Sequence, residues 1–128
     1  MTNFADMIRT AISEKVDILI AGAGLHLDLP SFLKKGGTTK IVPIVTSARA
    51  AKIICEKWKI NYYYLPDAVI LEGPKAGGHL GYKEDQIYDD DYSLEKLVPE
   101  IVSELKVFQE ENNRAGYQQG EPIHGQIP

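Results

Sequence analysis

The residues best suited to chemistry in this 128-residue chain lie in the run Glu72-Gly73-Pro74-Lys75-Ala76-Gly77-Gly78-His79. It follows directly on the apolar stretch Asp67-Ala68-Val69-Ile70-Leu71. A histidine titrates near neutral pH and can take or give a proton at a bound substrate, so His79 is a candidate catalytic or binding group. The glycines before it have no Cβ, which lets backbone come close to a flat ligand. Their amides can donate to anionic or carbonyl oxygens. Two further apolar runs end in similar small or polar residues: Gly22-Ala23-Gly24, and Thr46-Ser47 after Val45. If these three run-ends share one rim, the chain presents a carboxylate, a histidine and bare backbone to one ligand.

The elements needed to gather them are readable from periodicity. Phe4, Met7, Ile8, Ala11 and Ile12 recur at helical spacing behind Asn3 or Thr2, either of which can cap the helix. Val16 to Ala21, Lys40 to Val45 and Asp67 to Glu72 are near-continuous apolar runs, the pattern of strands covered by helices in a parallel sheet. Pro30 opens a short helical turn toward Lys35, stopped by Gly36-Gly37. Thr46 or Ser47 caps a helix from Ala48 to Lys59, with Ala51, Ile54, Cys55 and Trp58 on one face. Pro43 removes a backbone donor and predicts an irregularity near the end of its strand. A polar loop runs from Gly73 to about Tyr92. Leu97, Val98, Ile101, Val102, Leu105 and Phe108 then repeat at helical spacing, with Pro99 expected near the first position of the main helix. Residues 1–108 read as the folded unit, and 109–128, polar and aperiodic, as a mobile arm or long loop.

Strand, helix, strand, helix, strand, helix predicts an α/β fold of three consecutive parallel β/α units joined by right-handed crossovers. In such sheets ligands sit at the C-terminal strand ends, where all three turns fall. A complete (β/α)₈ barrel needs about 250 residues, and three strands are too few to close one.

Other features have plainer readings. Gly22-Ala23-Gly24 lacks the third glycine of a dinucleotide fingerprint, so a tight turn is expected. Asp89-Asp90-Asp91 lacks the alternating ligand spacing of a calcium loop, so it reads as solvated, and no metal site is expected. His26 is a rim residue or simply exposed, with exposure the favoured reading, and His124 lies in the polar tail. Cys55, the single cysteine, reads as a small core residue. A net charge of −4 with scattered lysines argues against nucleic acid as a partner. No apolar run reaches the roughly 20 residues needed to span a bilayer, and residues 1–6 lack the basic start and apolar run of a signal peptide. A cytoplasmic protein without a membrane partner is expected.

The runs "VDILIAGAGLHLDLP", "KIVPIVTSARAAKIICEKW" and above all "DAVILEGPKAGGHLGY" resemble the nitronate monooxygenases, formerly called 2-nitropropane dioxygenases, across about Asn3 to Phe108. The resemblance implies an FMN-dependent oxidoreductase acting on alkyl nitronates or nitroalkanes with O2. It also implies that the chain corresponds to strands four to six of an FMN-binding TIM barrel. Gly22, Gly24, Glu72, Gly77 and Gly78 would border the flavin, and His79 would be the base that removes an α-proton from a neutral nitroalkane. His26 departs from the proline common after Gly-Ala-Gly-Leu in this subgroup. The related flavin-dependent enoyl-ACP reductases offer an alternative, in which NAD(P)H reduces FMN and an enoyl thioester is the substrate. Strands that normally cradle the FMN phosphate have no counterpart in the sequence. An internal fragment is therefore expected, with the further alternative that it is non-catalytic, cannot hold FMN unaided and self-associates through exposed sheet edges.

Overall fold

The apolar stripe behind Asn3 forms helix α1, Phe4–Ser13, in the computed structural model, which describes residues 3–33, 37–77 and 81–117. Ile8 and Ile12 are buried on its inner face. Met7, grouped with them by spacing, lies on the flank and is 59% exposed. Asn3 occupies the N-cap position without making a side-chain cap bond. Strand β1, Ile18–Ala21, follows, then a 3-10 turn at Leu29–Phe32 that buries Leu29 and Pro30. Strand β2 is Lys40–Val45, and helix α2 is Ala48–Tyr62. Ser47 caps α2, its hydroxyl accepting from the Ala50 amide at 3.0 Å. Ala51, Ile54, Cys55 and Trp58 are all buried, the face that spacing predicts.

Strand β3 is short, Ile70–Leu71, and leads through 3-10 turns at Glu84–Gln86 and Asp90–Tyr92 into helix α3, Leu94–Arg114. The expectation for α3 needs correcting twice. Pro99 lies inside one continuous helix rather than at its first position. It is exposed and early in the helix, where the Glu95 carbonyl that loses its partner can turn to water. The helix also runs past Phe108 to Arg114, into the stretch expected to be an irregular arm. Asn112, buried, donates to the Phe108 carbonyl at 2.7 Å. Tyr117 folds back beyond the helix and donates to the Tyr63 carbonyl at 3.0 Å.

The described strands make one open parallel sheet in the order β1-β2-β3, alternating with helices. The chain is an α/β protein, consistent with successive β/α units of a barrel. One face carries the core: Ala21, Ile41 and Val45 pack with Ile8, Ile12, Leu29, Ala51, Ile54, Trp58 and Ile101. On the other face Ile18 and Ile20 are 56% and 55% exposed, and Ile70 is 38% exposed. This explains why the strands read as apolar throughout, although helices cover only one side among the described residues.

Pro43 accounts for the brevity of β3. Alternate residues of a strand bond to opposite neighbours. The Lys40 amide donates toward β1, to the Asp17 carbonyl at 2.9 Å, whereas Val45 accepts from Glu72 on the β3 side at 2.8 Å. Pro43 shares the parity of Val45, so its missing N–H faces β3. The β1 ladder accordingly covers Lys40 to Pro43, and β3 pairs only at Ile44 and Val45. At Ile41, the other residue of that parity, the Tyr64 hydroxyl takes the place of a strand and accepts the amide at 3.0 Å.

Candidate functional site

Parallel register sends the C-terminal ends of all three strands to one rim. There, Ala23, Gly24, Leu25, Ile44, Val45, Thr46, Glu72 and Gly81 line a cleft of about 290 Å³. The sheet therefore brings together three of the predicted elements: the Gly22–Gly24 turn, the end of β2 and the Glu72 carboxylate. Beside it, a larger cleft of about 640 Å³ runs along the edge of β3 that no described strand pairs, between the Gly73–Ala76 turn and residues Ile87 to Glu95. Gly77 is exposed on the intervening loop. Gly78 and His79 lie outside the described residues.

The predicted glycines have different physical reasons for being glycine. A Cβ on Gly22 would sit 2.7 Å from Ile44 Cδ1 and 3.3 Å from Ile44 Cβ, so the neighbouring strand's side chain occupies that space. Gly24 has φ +138°, a backbone conformation that side-chain-bearing residues rarely adopt. At Gly77 nothing among the described residues lies within 4 Å of an added Cβ, so no described neighbour fills that space. Gly22 is thus fixed by packing, Gly24 by the turn, and Gly77 by neither.

His26 is not the exposed residue that the sequence suggests. It is half-buried, stacked on Phe4 with ring centroids 4.5 Å apart and planes 16° from parallel. Its Nε2 donates to the Gly22 carbonyl at 2.7 Å, which fixes the proton on that nitrogen, since a carbonyl can only accept. Trp58, fully buried, donates its indole N–H to the His26 carbonyl at 3.1 Å. The first strand-end turn is therefore pinned to α1 and α2 at once. A four-residue separation in a loop gave no signal for this bond.

Tyr82 is the residue that sequence reasoning missed. Its hydroxyl lies 2.8 Å from the Thr46 carbonyl and 2.8 Å from the Glu72 carbonyl, so it spans the ends of β2 and β3. Burial raises its pKa, and the nearby Glu72 charge adds to the effect. The phenol stays protonated and able to donate. Cys55 is buried, and desolvation, reinforced by Glu56, lifts its thiol to about 11, which leaves it a core residue rather than a nucleophile. In the acidic run, the Asp89 carboxylate accepts the Asp91 amide at 3.0 Å and caps a turn.

Parallel β/α units with glycine-bearing turns and an acid on one rim place the chain among the parallel α/β proteins. The comparison with protein families is specific. The family model described as nitronate monooxygenase matches residues 2–107, and the chain belongs to that family of oxidoreductases. No curated protein matches the chain significantly. Among the described residues no helix is long and apolar enough to cross a membrane, and no group of three or more His, Cys, Asp or Glu is placed to hold a metal ion.

Proposed function

We propose that the chain carries the substrate-side portion of an FMN-dependent site that oxidises alkyl nitronates or nitroalkanes. The observation that carries this reading is the shared rim, where the Gly24 turn and Glu72 border one cleft in a chain of the nitronate monooxygenase family. The rim suits the ring end of a flavin. Gly24 and the Gly77 backbone offer close approach and amide donors, and Glu72, half-buried just past β3, offers an acceptor to a ring N–H.

It does not suit the phosphate. The cleft along β3 is lined by Glu72, Asp89, Asp90 and Glu95 against one lysine, Lys75, and a phosphate dianion placed there would meet mostly like charge. Gly22, Gly24, Glu72, Gly77 and Gly78 are accordingly assigned to the ring end only.

When bound, the flavin supplies a two-electron acceptor that oxygen can reoxidise. The chain's own work is to orient the substrate and move its proton. His79 is assigned as the general base, its imidazole taking the α-proton of a neutral nitroalkane. A nitronate arrives without that proton and asks less of His79.

The test begins with binding. The purified chain is mixed with FMN, desalted, and its visible spectrum and flavin fluorescence are recorded. Flavin retained near one per chain supports the reading, and complete loss shows that the chain does not hold FMN unaided. Where flavin is retained, oxidation of propyl-2-nitronate is compared with NADPH-dependent reduction of an enoyl thioester. Turnover of the enoyl thioester alone would replace this assignment with a reductase. His79→Ala is expected to suppress nitroalkane oxidation more than nitronate oxidation; equal loss of both would remove the base role.

A further inference from the structure

Tyr82 stands on neither β2 nor β3, yet its hydroxyl is within 2.8 Å of a main-chain carbonyl from each strand end, Thr46 and Glu72. Both carbonyls lie just past the last paired residues, Val45 and Leu71. A phenol has one proton, so the two acceptors share it, and each draws the same oxygen toward its own strand. The ring is held from the side by Tyr92, edge-on at 6.3 Å. The preceding residue, Gly81, lies so close to Thr46 that a Cβ would come within 2.9 Å of its Cγ2. The loop is thus pressed onto the end of β2 by shape and tied to both strands by one hydroxyl.

We propose that Tyr82 is a positioning residue, a latch that fixes the separation of the β2 and β3 ends and so sets where Glu72 stands in the rim cleft. The consequence for a bound flavin rests on the function proposed above; the latch itself does not. Without the hydroxyl, among the described residues β3 is held to β2 by two paired positions and the Glu72 amide bond, and residues 81–92 lose the Tyr82 tie to the two strand ends. Lys75 and Lys83, both exposed, flank the latch and provide tryptic sites that report on it.

The experiment compares Tyr82→Phe with Tyr92→Phe in the full chain. Tyr82→Phe keeps the ring and removes only the hydroxyl. Tryptic cleavage at Lys75 and Lys83 is expected to quicken about tenfold in Tyr82→Phe, the equivalent of about 1.4 kcal/mol, and to change little in Tyr92→Phe. If the chain retains flavin, its visible circular dichroism should change in Tyr82→Phe at saturating FMN and not in Tyr92→Phe. That signal follows the surroundings of the ring and would not move with stability alone. If the chain holds no flavin, the cleavage ratio decides: a tenfold rise supports the latch, and equal rates in wild type and Tyr82→Phe overturn it. Equal effects of the two variants would also overturn it, since they would make Tyr82 a packing residue.

Discussion

Gly22→Ala separates two reasons for a glycine at the first strand end. If the residue is glycine because Ile44 fills its Cβ space, the penalty belongs to the pair and a smaller side chain at position 44 should relieve it. If it is glycine because a ligand must reach the backbone, trimming Ile44 should not help. The added Cβ would lie 2.7 Å from Ile44 Cδ1, well inside van der Waals contact, and 3.3 Å from Ile44 Cβ, which cannot swing away. Overpacking of this kind costs about 1–3 kcal/mol. Ile44→Val removes the Cδ1 that makes the shortest contact and by itself costs about 0.5–1.5 kcal/mol. The double variant should then be less destabilised than the sum of the two, with a coupling of about 1 kcal/mol or more. Urea unfolding followed through Trp58, the single tryptophan and a fully buried one, measures all four corners of the cycle. Additivity within about 0.5 kcal/mol would refute the packing account, because residues that do not touch add to that precision. Flavin retention by the double variant would complete the separation. Recovery of binding along with stability means that Gly22 acts through Ile44.

Three further outcomes follow from the same geometry. Tyr64→Phe leaves the buried Ile41 amide without its acceptor, and should cost about 1–3 kcal/mol and speed hydrogen exchange at Ile41; unchanged exchange would remove that bond from the account. The Cys55 thiol is raised from 9.0 to about 11, so its contribution to stability is complete below pH 9 and lost as pH rises through about 11. That rise corresponds to about 2–3 kcal/mol, so Cys55→Ala should flatten the decline in urea midpoint across that alkaline window, and an unaltered slope would count against burial as the cause. The exposed isoleucines of the bare sheet face should promote self-association; Ile18→Thr with Ile20→Thr should lower the weight-average mass seen by sedimentation without losing helical circular dichroism, and an unchanged mass would place the contact elsewhere.

Periodicity was enough for the elements and their order. β2 and the buried face of α2 appear where apolar runs, the Ser47 cap and helical spacing put them, because each of those signals is local. What was not readable depended on contacts across the chain. The three strands look alike in sequence, yet β3 shrinks to Ile70–Leu71 because Pro43, some thirty residues earlier, withholds the donor that would lengthen its ladder. Pro99 reads as a helix start by its chemistry, but an exposed proline is tolerated when the rest of the helix is packed against α2. At the site, glycines and Glu72 announced the rim, since residue type alone implies close backbone approach and charge. The roles of His26 and Tyr82 could not be read, because a hydrogen bond from a loop side chain to a remote carbonyl leaves no periodic trace. The placement of Gly78 and His79 lies outside the described residues, and their assignment rests on sequence resemblance.

The central strand divides its length between its neighbours, four register positions to β1 and then two to β3. The sheet is therefore two ladders laid end to end along β2, with Pro43 at their junction. Mechanically this is a seam. A displacement of β3 disturbs only the last third of β2 and leaves every β1 pairing intact. By its ladder alone the strand end that bears Glu72 is the less firmly held, which leaves the Tyr82 hydroxyl to steady it, whereas the Gly22–Gly24 turn is anchored by the longer ladder and by Trp58. Exchange of the Glu72 amide should accordingly run ahead of that of Lys40, and the order in which the two ladders open would show the rim yielding from the β3 side.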